Sequence, residues 1–326
     1  DNNPFGCRWH RSMIRVKDPS ASLRYYEENY GMQLVDFYHL PALGRSNYYV
    51  ASLREGDTWP TPGTAEAHKL LFDMKYSCIE LQHTHGVEKD PDLRYSSGND
   101  EPKRGFGHLA FLTDDVYAAS AILENARVEF KKKPDEGRMK GLAFAYDPDG
   151  YWIEIVSRDA AAGHSEPYHL GQTMLRVKDF RTSLDFYTGP AGLGMTLVCE
   201  KHFSDFSLYF LQSLSPEERA TWPLPASTEA YEQMTCSFAP VLELTHNHGT
   251  ENQPDFMYHD GNSEPLGFGH VGFIVDDIEG IANTLRERGC EELAEPGMPD
   301  GKVLRFRDPD GYHVQLILRG AVLETS

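Results

Sequence analysis

The sequence predicts an α+β fold, in which four strand–helix–strand modules of the βαβββ type pair into cupped mixed sheets, two modules to each of two duplicated domains. Three observations predict it. The stretch VLELTHNHGTENQPDFMYHDGNSEPLGFGH (241–270) recurs as CIELQHTHGVEKDPDLRYSSGNDEPKRGFGH (78–108). Matched residues keep offsets of 161 to 163: Arg11 falls opposite Gln172, Glu80 opposite Glu243, His108 opposite His270 and Glu154 opposite Gln315. A repeat of this length is a duplicated domain rather than a solenoid. Within each half, strand-like runs and an amphipathic helix then alternate twice.

The 326 residues suit about two domains. The repeat divides them into 1–165 and 166–326. Each half opens on a strand, RSMIRVKD (11–18) or QTMLRVKD (172–179). A helix follows, its start marked by Asp18-Pro19-Ser20 in one copy and Asp179 in the other, with Gly expected to end both. Strands SNYYVASL (46–53) and FSLYFLQSL (206–214) come next. Polar stretches TWPTPGTAEAHK and TWPLPASTEAYEQ read as loops before the strands that carry Glu80 and Glu243. The second part of each half repeats the order: strand HLAFLTDD or HVGFIVDD, helix VYAASAILENARV or IEGIANTLRERG, then two strands. DPDGY (147–151, 308–312) joins those strands, and its Asp-Gly is a hairpin signal with no chemistry of its own.

Composition excludes several functions. A net charge of −19 lacks the basic face that nucleic acid needs. No apolar run approaches the roughly 18–20 residues that span a bilayer. Five cysteines at irregular spacing, with no CxxC, point to a reducing compartment, and Cys78 and Cys236 read as small buried thiols. The expected location is cytoplasmic, or a plastid or other organelle if a leader preceded residue 1.

Chemistry is expected where polar side chains interrupt apolar strands. Side chains alternate along a strand, so Gln172 shares a face with Arg176, and Glu243 with Asn247. Glu154 lies opposite Ile153 and Ile155, and Arg104 stands four residues before His108, in the loop leading to its strand. Any one such carboxylate or imidazole alone is more commonly a satisfied structural group. Four at corresponding places in both copies point to a metal site. An amide oxygen, two carboxylates and one imidazole suit zinc, nickel, cobalt or manganese rather than Cu(I) or an iron–sulfur cluster.

QTMLRVKD, LELTHNHGTE, GNSEP with GFGH, and KKPDEGRMKGLAFAYDPDGYWIEI closely resemble the glyoxalase I (lactoylglutathione lyase) family of the vicinal-oxygen-chelate superfamily, in its fused two-domain form. The resemblance implies a lyase of methylglyoxal detoxification. It would isomerise the glutathione–methylglyoxal hemithioacetal to S-D-lactoylglutathione, with one divalent metal per chain, zinc or nickel, and glutathione as part of the substrate. It implies a site combining His108 and Glu154 from the first half with Gln172 and Glu243 from the second. Glu154 and Glu243 are then the catalytic carboxylates, and Arg104, Lys132, Arg138, Met139, Arg176 and Asn247 the substrate contacts. The loop EGRMKG (136–141) is expected to close over the substrate. The other site would use Arg11, Glu80, His270 and Gln315, and it departs from the pattern. A guanidinium offers only donors, Gln315 replaces a carboxylate, Thr84 and Leu266 replace the Asn and Arg, and ELAEPGMPDGK (292–302) replaces the lysine clamp. Moving the ligand role to His10 would turn the side chain to the wrong face. This second site reads as degenerate. The expected partner is a small molecule, with no nucleic acid and no membrane, and fusion removes the need for a dimer, so a monomer is expected. Within the superfamily, a ring-cleaving dioxygenase or glutathione transferase fits the Gln172 position and paired Glu less well. A metal-free or weakly metal-binding, ligand-sequestering protein would fit the degenerate site but not the intact one.

Overall fold

The computed structural model describes residues 2–159, 162–294 and 301–321. The chain forms four βαβββ modules. The first holds β1 (Arg8–Arg15), α1 (Pro19–Tyr30), β2 (Gln33–Leu40), β3 (Arg45–Ala51), α2 (Ala65–Leu71) and β4 (Cys78–Thr84). The second holds β5 (Phe106–Thr113), α3 (Val116–Asn125), β6 (Phe130–Lys132), β7 (Ala143–Tyr146) and β8 (Trp152–Ser157). The third holds β9 (His169–Val177), α4 (Phe180–Tyr187), β10 (Thr196–His202), β11 (Phe206–Gln212), α5 (Pro216–Thr221), α6 (Thr228–Cys236) and β12 (Val241–Asn247). The fourth holds β13 (Phe268–Val275), α7 (Ile278–Glu287), β14 (Glu292–Leu293), β15 (Val303–Arg307) and β16 (His313–Leu318).

The modules pair across the repeat. One eight-stranded sheet runs β14-β15-β16-β13-β1-β4-β3-β2 and joins modules four and one; the other runs β10-β11-β12-β9-β5-β8-β7-β6 and joins three and two. Each sheet therefore takes half its strands from each repeat. The joints are antiparallel, β1 on β13 and β9 on β5.

Strand alternation sorts the two faces. Leu242 and Leu244 of β12, Ile153 and Ile155 of β8, and Leu109 and Phe111 of β5 are all buried in the main core, which the helices cover. The stacked rings of Phe106 and Phe268, 4.9 Å apart, tie the two sheets together in that core. Glu243, Glu154 and His108 occupy the alternate positions, hence the other face.

Asp18 caps α1 by accepting from the Ser20 and Ala21 amides, and Gly31 closes it in the left-handed region. Asp179 caps α4 likewise, but that helix ends on extended Thr188, before the glycine expected to stop it. The stretches read as polar loops run into α2 and α6, capped by Thr64 and Ser227, and a further short helix, α5, ends at Thr221 where the second stretch begins, with a capping box at Ser215–Glu218. Short strands β6 and β14 precede the two expected at the end of each half. The DPDGY segments are turns, and Gly150 and Gly311 both have φ of 90°. All five cysteines are unpaired; Cys78 is buried as expected, whereas Cys236 is only half-buried. Among the described residues no helix is long and apolar enough to cross a membrane.

Candidate active site

Four strands of the second sheet, adjacent in the order β12-β9-β5-β8, each contribute one polar side chain to its inner face. His108 Nε2 lies 3.3 Å from Glu154 Oε2 and 3.7 Å from Glu243 Oε2. Gln172 Nε2 donates to the same two oxygens, at 2.8 and 2.9 Å. Thr245 Oγ1 donates to the other Glu243 oxygen at 3.1 Å. One ligand atom from each of His108, Glu154 and Glu243 falls within 4.8 Å of the others.

Two buried carboxylates this close repel one another unless a cation lies between them. His108 answers in part. Burial opposes its charge, yet Glu154 and then Glu243 outweigh burial and raise its pKa to about 9. Even so, its buried Nε2 makes no well-formed hydrogen bond. Rotating the Gln172 amide exchanges Nε2 for Oε1 at the same place. The site then offers two carboxylates, an amide oxygen and an imidazole nitrogen around one point, and this donor set fits a divalent cation.

These groups line a cavity of about 340 Å³ whose other walls include Leu208, Phe210, Phe144, Trp152 and Val241. Met139, on the EGRMKG loop, and Arg176 also line it. Arg176, however, is already committed. Its Nη1 donates to the carbonyls of Gly98, Gly105 and Phe106 at 3.1–3.2 Å, and Nη2 to Asn99 Oδ1 at 2.8 Å. Arg15 does the same in the other sheet, to Gly261, Gly267, Phe268 and Asn262. The two arginines are therefore held alike, although the resemblance makes only Arg176 a substrate contact. Arg104 pairs with Glu101 at 3.1 Å, and its charge, after burial, helps to depress the pKa of Arg176. Asn247 Nδ2 donates to the Tyr258 hydroxyl at 2.9 Å. Lys132 Nζ donates to the Leu142 carbonyl at 2.6 Å, and exposed Arg138 lies 3.5 Å from Asp205.

Sequence reasoning missed Gly171, Lys201, Tyr231 and Thr245, all of which line the cavity. Gly171 is the extra residue of a β-bulge, since Gln172 pairs with Ala110 and Leu170 with Phe111. A Cβ there would lie 1.5 Å from Leu112 Cδ1. Its counterpart His10 occupies the same kind of bulge between Trp9 and Arg11. The bulge removes the expected turn of His10 to the wrong face: His10 Nδ1 sits 3.2 Å from Arg11 Nη1, while Nε2 contacts the Leu71 carbonyl at 2.7 Å.

In the first sheet Arg11 occupies the place of Gln172. Its Nε donates to Glu80 Oε2 at 2.6 Å and Nη2 donates to Gln315 Oε1. Asn47 Nδ2 donates to Glu80 Oε1 at 2.8 Å. Burial works against ionised Glu80, but the Arg11 charge and His270 override it and hold the carboxyl at about 2. Burial dominates at His270, which falls to about 3 and stays neutral. The positive charge that His108 supplies only in part in the second sheet is supplied here by a guanidinium, and a donor-only guanidinium does not fit a metal. Residues 295–300, within the stretch that replaces the lysine clamp, lie outside the described residues.

The family model of the Glyoxalase/Bleomycin resistance protein/Dioxygenase superfamily matches residues 8–155 and 169–316. Glyoxalase I of Saccharomyces cerevisiae is 32% identical over 321 residues, covering 96% of this chain and 93% of that protein. Lactoylglutathione lyase of Schizosaccharomyces pombe is 34% identical over 316 residues, covering 94% and 95%. The crystal structure of glyoxalase I from Zea mays superposes with a TM-score of 0.65 at 25% identity, covering 96% of this chain and 93% of that one.

Proposed function

Since this chain belongs to the glyoxalase superfamily, and within it to the glyoxalase I (lactoylglutathione lyase) enzymes, we propose that it isomerises the glutathione–methylglyoxal hemithioacetal to S-D-lactoylglutathione at a single metal site, while its other site is degenerate. The observation that carries this reading is the convergence of the His108 imidazole, two carboxylates and an amide on one point, with no well-formed hydrogen bond at His108 Nε2, on the wall of a cavity large enough for substrate. His108, Glu154, Gln172 and Glu243 would hold one zinc or nickel ion. When bound, that ion supplies Lewis acidity to the two adjacent oxygens of the hemithioacetal.

The chain's own residues do the rest. Glu154 takes the carbon-bound proton and returns it to the neighbouring carbon, and Glu243 across the cavity serves the other diastereomer. Thr245 and Gln172 orient Glu243. The aromatic and aliphatic walls keep water from the abstracted proton. Arg104, Lys132, Arg138, Met139 and Asn247 are the proposed glutathione contacts. Arg176 is proposed chiefly to brace the strands beneath them, given its carbonyl partners. One chain completes the site, which supports a monomer.

Thioester absorbance measured with and without chelator, alongside elemental analysis, tests the reading. Expected are loss of turnover on chelation, recovery with zinc or nickel, and one tightly bound metal per active chain. Two tightly bound metals per chain, or full activity without any, would overturn it. A ligand-sequestering role has less support, because it leaves the clustered Glu154 and Glu243 without a purpose.

A further inference from the structure

We propose that Lys201 reads an anionic group on the substrate, so that this site favours hemithioacetals presenting a carboxylate or phosphate to it; the proposal rests on the reading of the cavity as a glyoxalase site. Lys201 lies on β10, and its side chain lines the cavity together with Gln172 and Glu243. Its Nζ sits 3.1 Å from the centroid of the Tyr231 ring, on α6. The other cations on the cavity wall are occupied: Arg176 by three carbonyls and Asn99, His108 by the two catalytic carboxylates. The Lys201 ammonium has no hydrogen bond and no ion pair among the described residues, only the Tyr231 ring. Burial lowers its pKa, which Cys199 and then Glu243, beyond ion-pair distance, only partly offset. A half-desolvated ammonium backed by an aromatic face gains from an anion brought by a ligand.

The other sheet shows what such a group looks like when the protein satisfies it. Strand register places Tyr38 where Lys201 stands and Asp36 where Cys199 stands. The sequence repeat places His68 where Tyr231 stands. There the His68 ring stacks on Tyr38 at 4.4 Å, and Nδ1 lies 2.6 Å from Asp36 Oδ2. The basic group, the aromatic face and the carboxylate are all internal. In the second sheet the basic group and the ring have exchanged places between strand and helix, and the carboxylate has become the thiol of buried Cys199. Lys201 is thereby left without the internal carboxylate that its counterpart site has, while its side chain faces the cavity.

That anion has two sources with the same chemistry, the side chain of the 2-oxoaldehyde or the glycyl carboxylate of glutathione. Lys201→Met should therefore be assayed on two acid–ester pairs. The first is the glutathione hemithioacetal of 4,5-dioxopentanoate and of its methyl ester. The second is the methylglyoxal hemithioacetal of glutathione and of its glycyl ethyl ester. Loss of a charge-assisted hydrogen bond predicts that kcat/KM falls about tenfold or more for the acid of one pair, and by less than about twofold for its ester. The pair that responds identifies the source. Lys201→Arg should restore the acid preference. Equal losses for acid and ester in both pairs, or no loss in either, would overturn the proposal. Titration calorimetry decides it without turnover, using S-alkylglutathiones ending in a carboxylate or its methyl ester, and S-hexylglutathione with its glycyl ethyl ester. An acid-selective loss of affinity in Lys201→Met supports the proposal even where the wild-type chain proves inactive, an outcome that would instead sink the reading of the cavity as a glyoxalase site.

Discussion

The two sheets share a strand order and carry the same four polar positions on their inner faces, yet one face holds a cavity and the other is packed shut. Three replacements account for the difference. Where Gly171, Gln172 and Thr235 line the cavity, the first sheet has His10, Arg11 and Phe72, each only 1% exposed. His10 and Phe72 pack together with ring centroids 5.7 Å apart, and the Arg11 guanidinium bridges Glu80 and Gln315. The comparison teaches that one demand, a positive charge beside a buried Glu, has two solutions in this fold. An internal guanidinium satisfies it permanently and makes core. An imidazole and an amide satisfy it incompletely and leave room for a cation and substrate.

The largest expected effect lies in the open face. Glu154→Gln should lower kcat and kcat/KM together by about 10²–10⁴, the usual worth of a positioned general base, while elemental analysis still finds some metal. The counterpart position already carries this residue, as Gln315. A folded Glu154→Gln enzyme with near wild-type kcat would show that the difference between Glu154 and Gln315 is not catalytic.

The closed face should respond in stability instead. Arg11→Ala leaves Glu80 buried without its cation and should cost about 3–5 kcal/mol, read by denaturant unfolding. Arg11→Gln should be milder and allow partial uptake of a second metal without a second activity, because Gln315 cannot accept the proton. A wild-type unfolding curve for Arg11→Ala would mean that the ion pair does not hold this face.

A third prediction concerns what the two faces have in common. Arg15→Ala and Arg176→Ala each strip four acceptors, three of them backbone carbonyls, of their donor. Both should lose a similar stability, about 2–3 kcal/mol. Measuring KM on the same proteins sharpens the comparison. An increase confined to Arg176→Ala would show that this arginine reaches substrate in addition to its bracing role.

Much of this was legible in the sequence, for identifiable reasons. Glu243 between Leu242 and Leu244, and Glu154 between Ile153 and Ile155, announce their face by alternation alone. The substitution of Arg11 for Gln172 is visible once the repeat is aligned, and so is its chemistry. The helices α2 and α6 were hidden because Pro lies just ahead of both, with Gly63 as well before α2, and their caps, Thr64 and Ser227, look like loop residues. The paired β-bulges at His10 and Gly171 cannot be read from one strand, since a bulge is a relation between two. Lys201 was missed because TLVCEKH gives no clear alternation, and its distinguishing feature is a missing counterion, which only packing reveals.

The smallest expected effect is a control on features that did not diverge. Asp147 and Asp308 open the two DPDG turns, and each accepts a tyrosine hydroxyl from a first-strand-following helix, Tyr26 at 2.9 Å and Tyr187 at 2.7 Å. Burial, and next the neighbouring acid (Asp149 or Asp310), raise their pKa values to about 7 and about 8. An unfolded Asp titrates near about 3.9. Between that value and the folded one, the native chain holds a proton that the unfolded chain has released, so stability falls as pH rises through the window. The contribution is complete below about pH 4 and is lost above about pH 7 for Asp147 and about pH 8 for Asp308. Asp147→Asn and Asp308→Asn keep an acceptor for the backbone amides of the turn and present Nδ2 as a donor to the tyrosine oxygen, but cannot ionise. Each should flatten the decline and raise Tm at pH 8 by roughly 2–4 °C relative to its own difference from wild type at pH 5. The two variants should behave alike, because the turns are alike even though the faces are not. A pH-independent Tm difference would show that both carboxyls are ionised in the folded chain across this range. Unequal slopes would show that the divergence of the two faces extends into their turns.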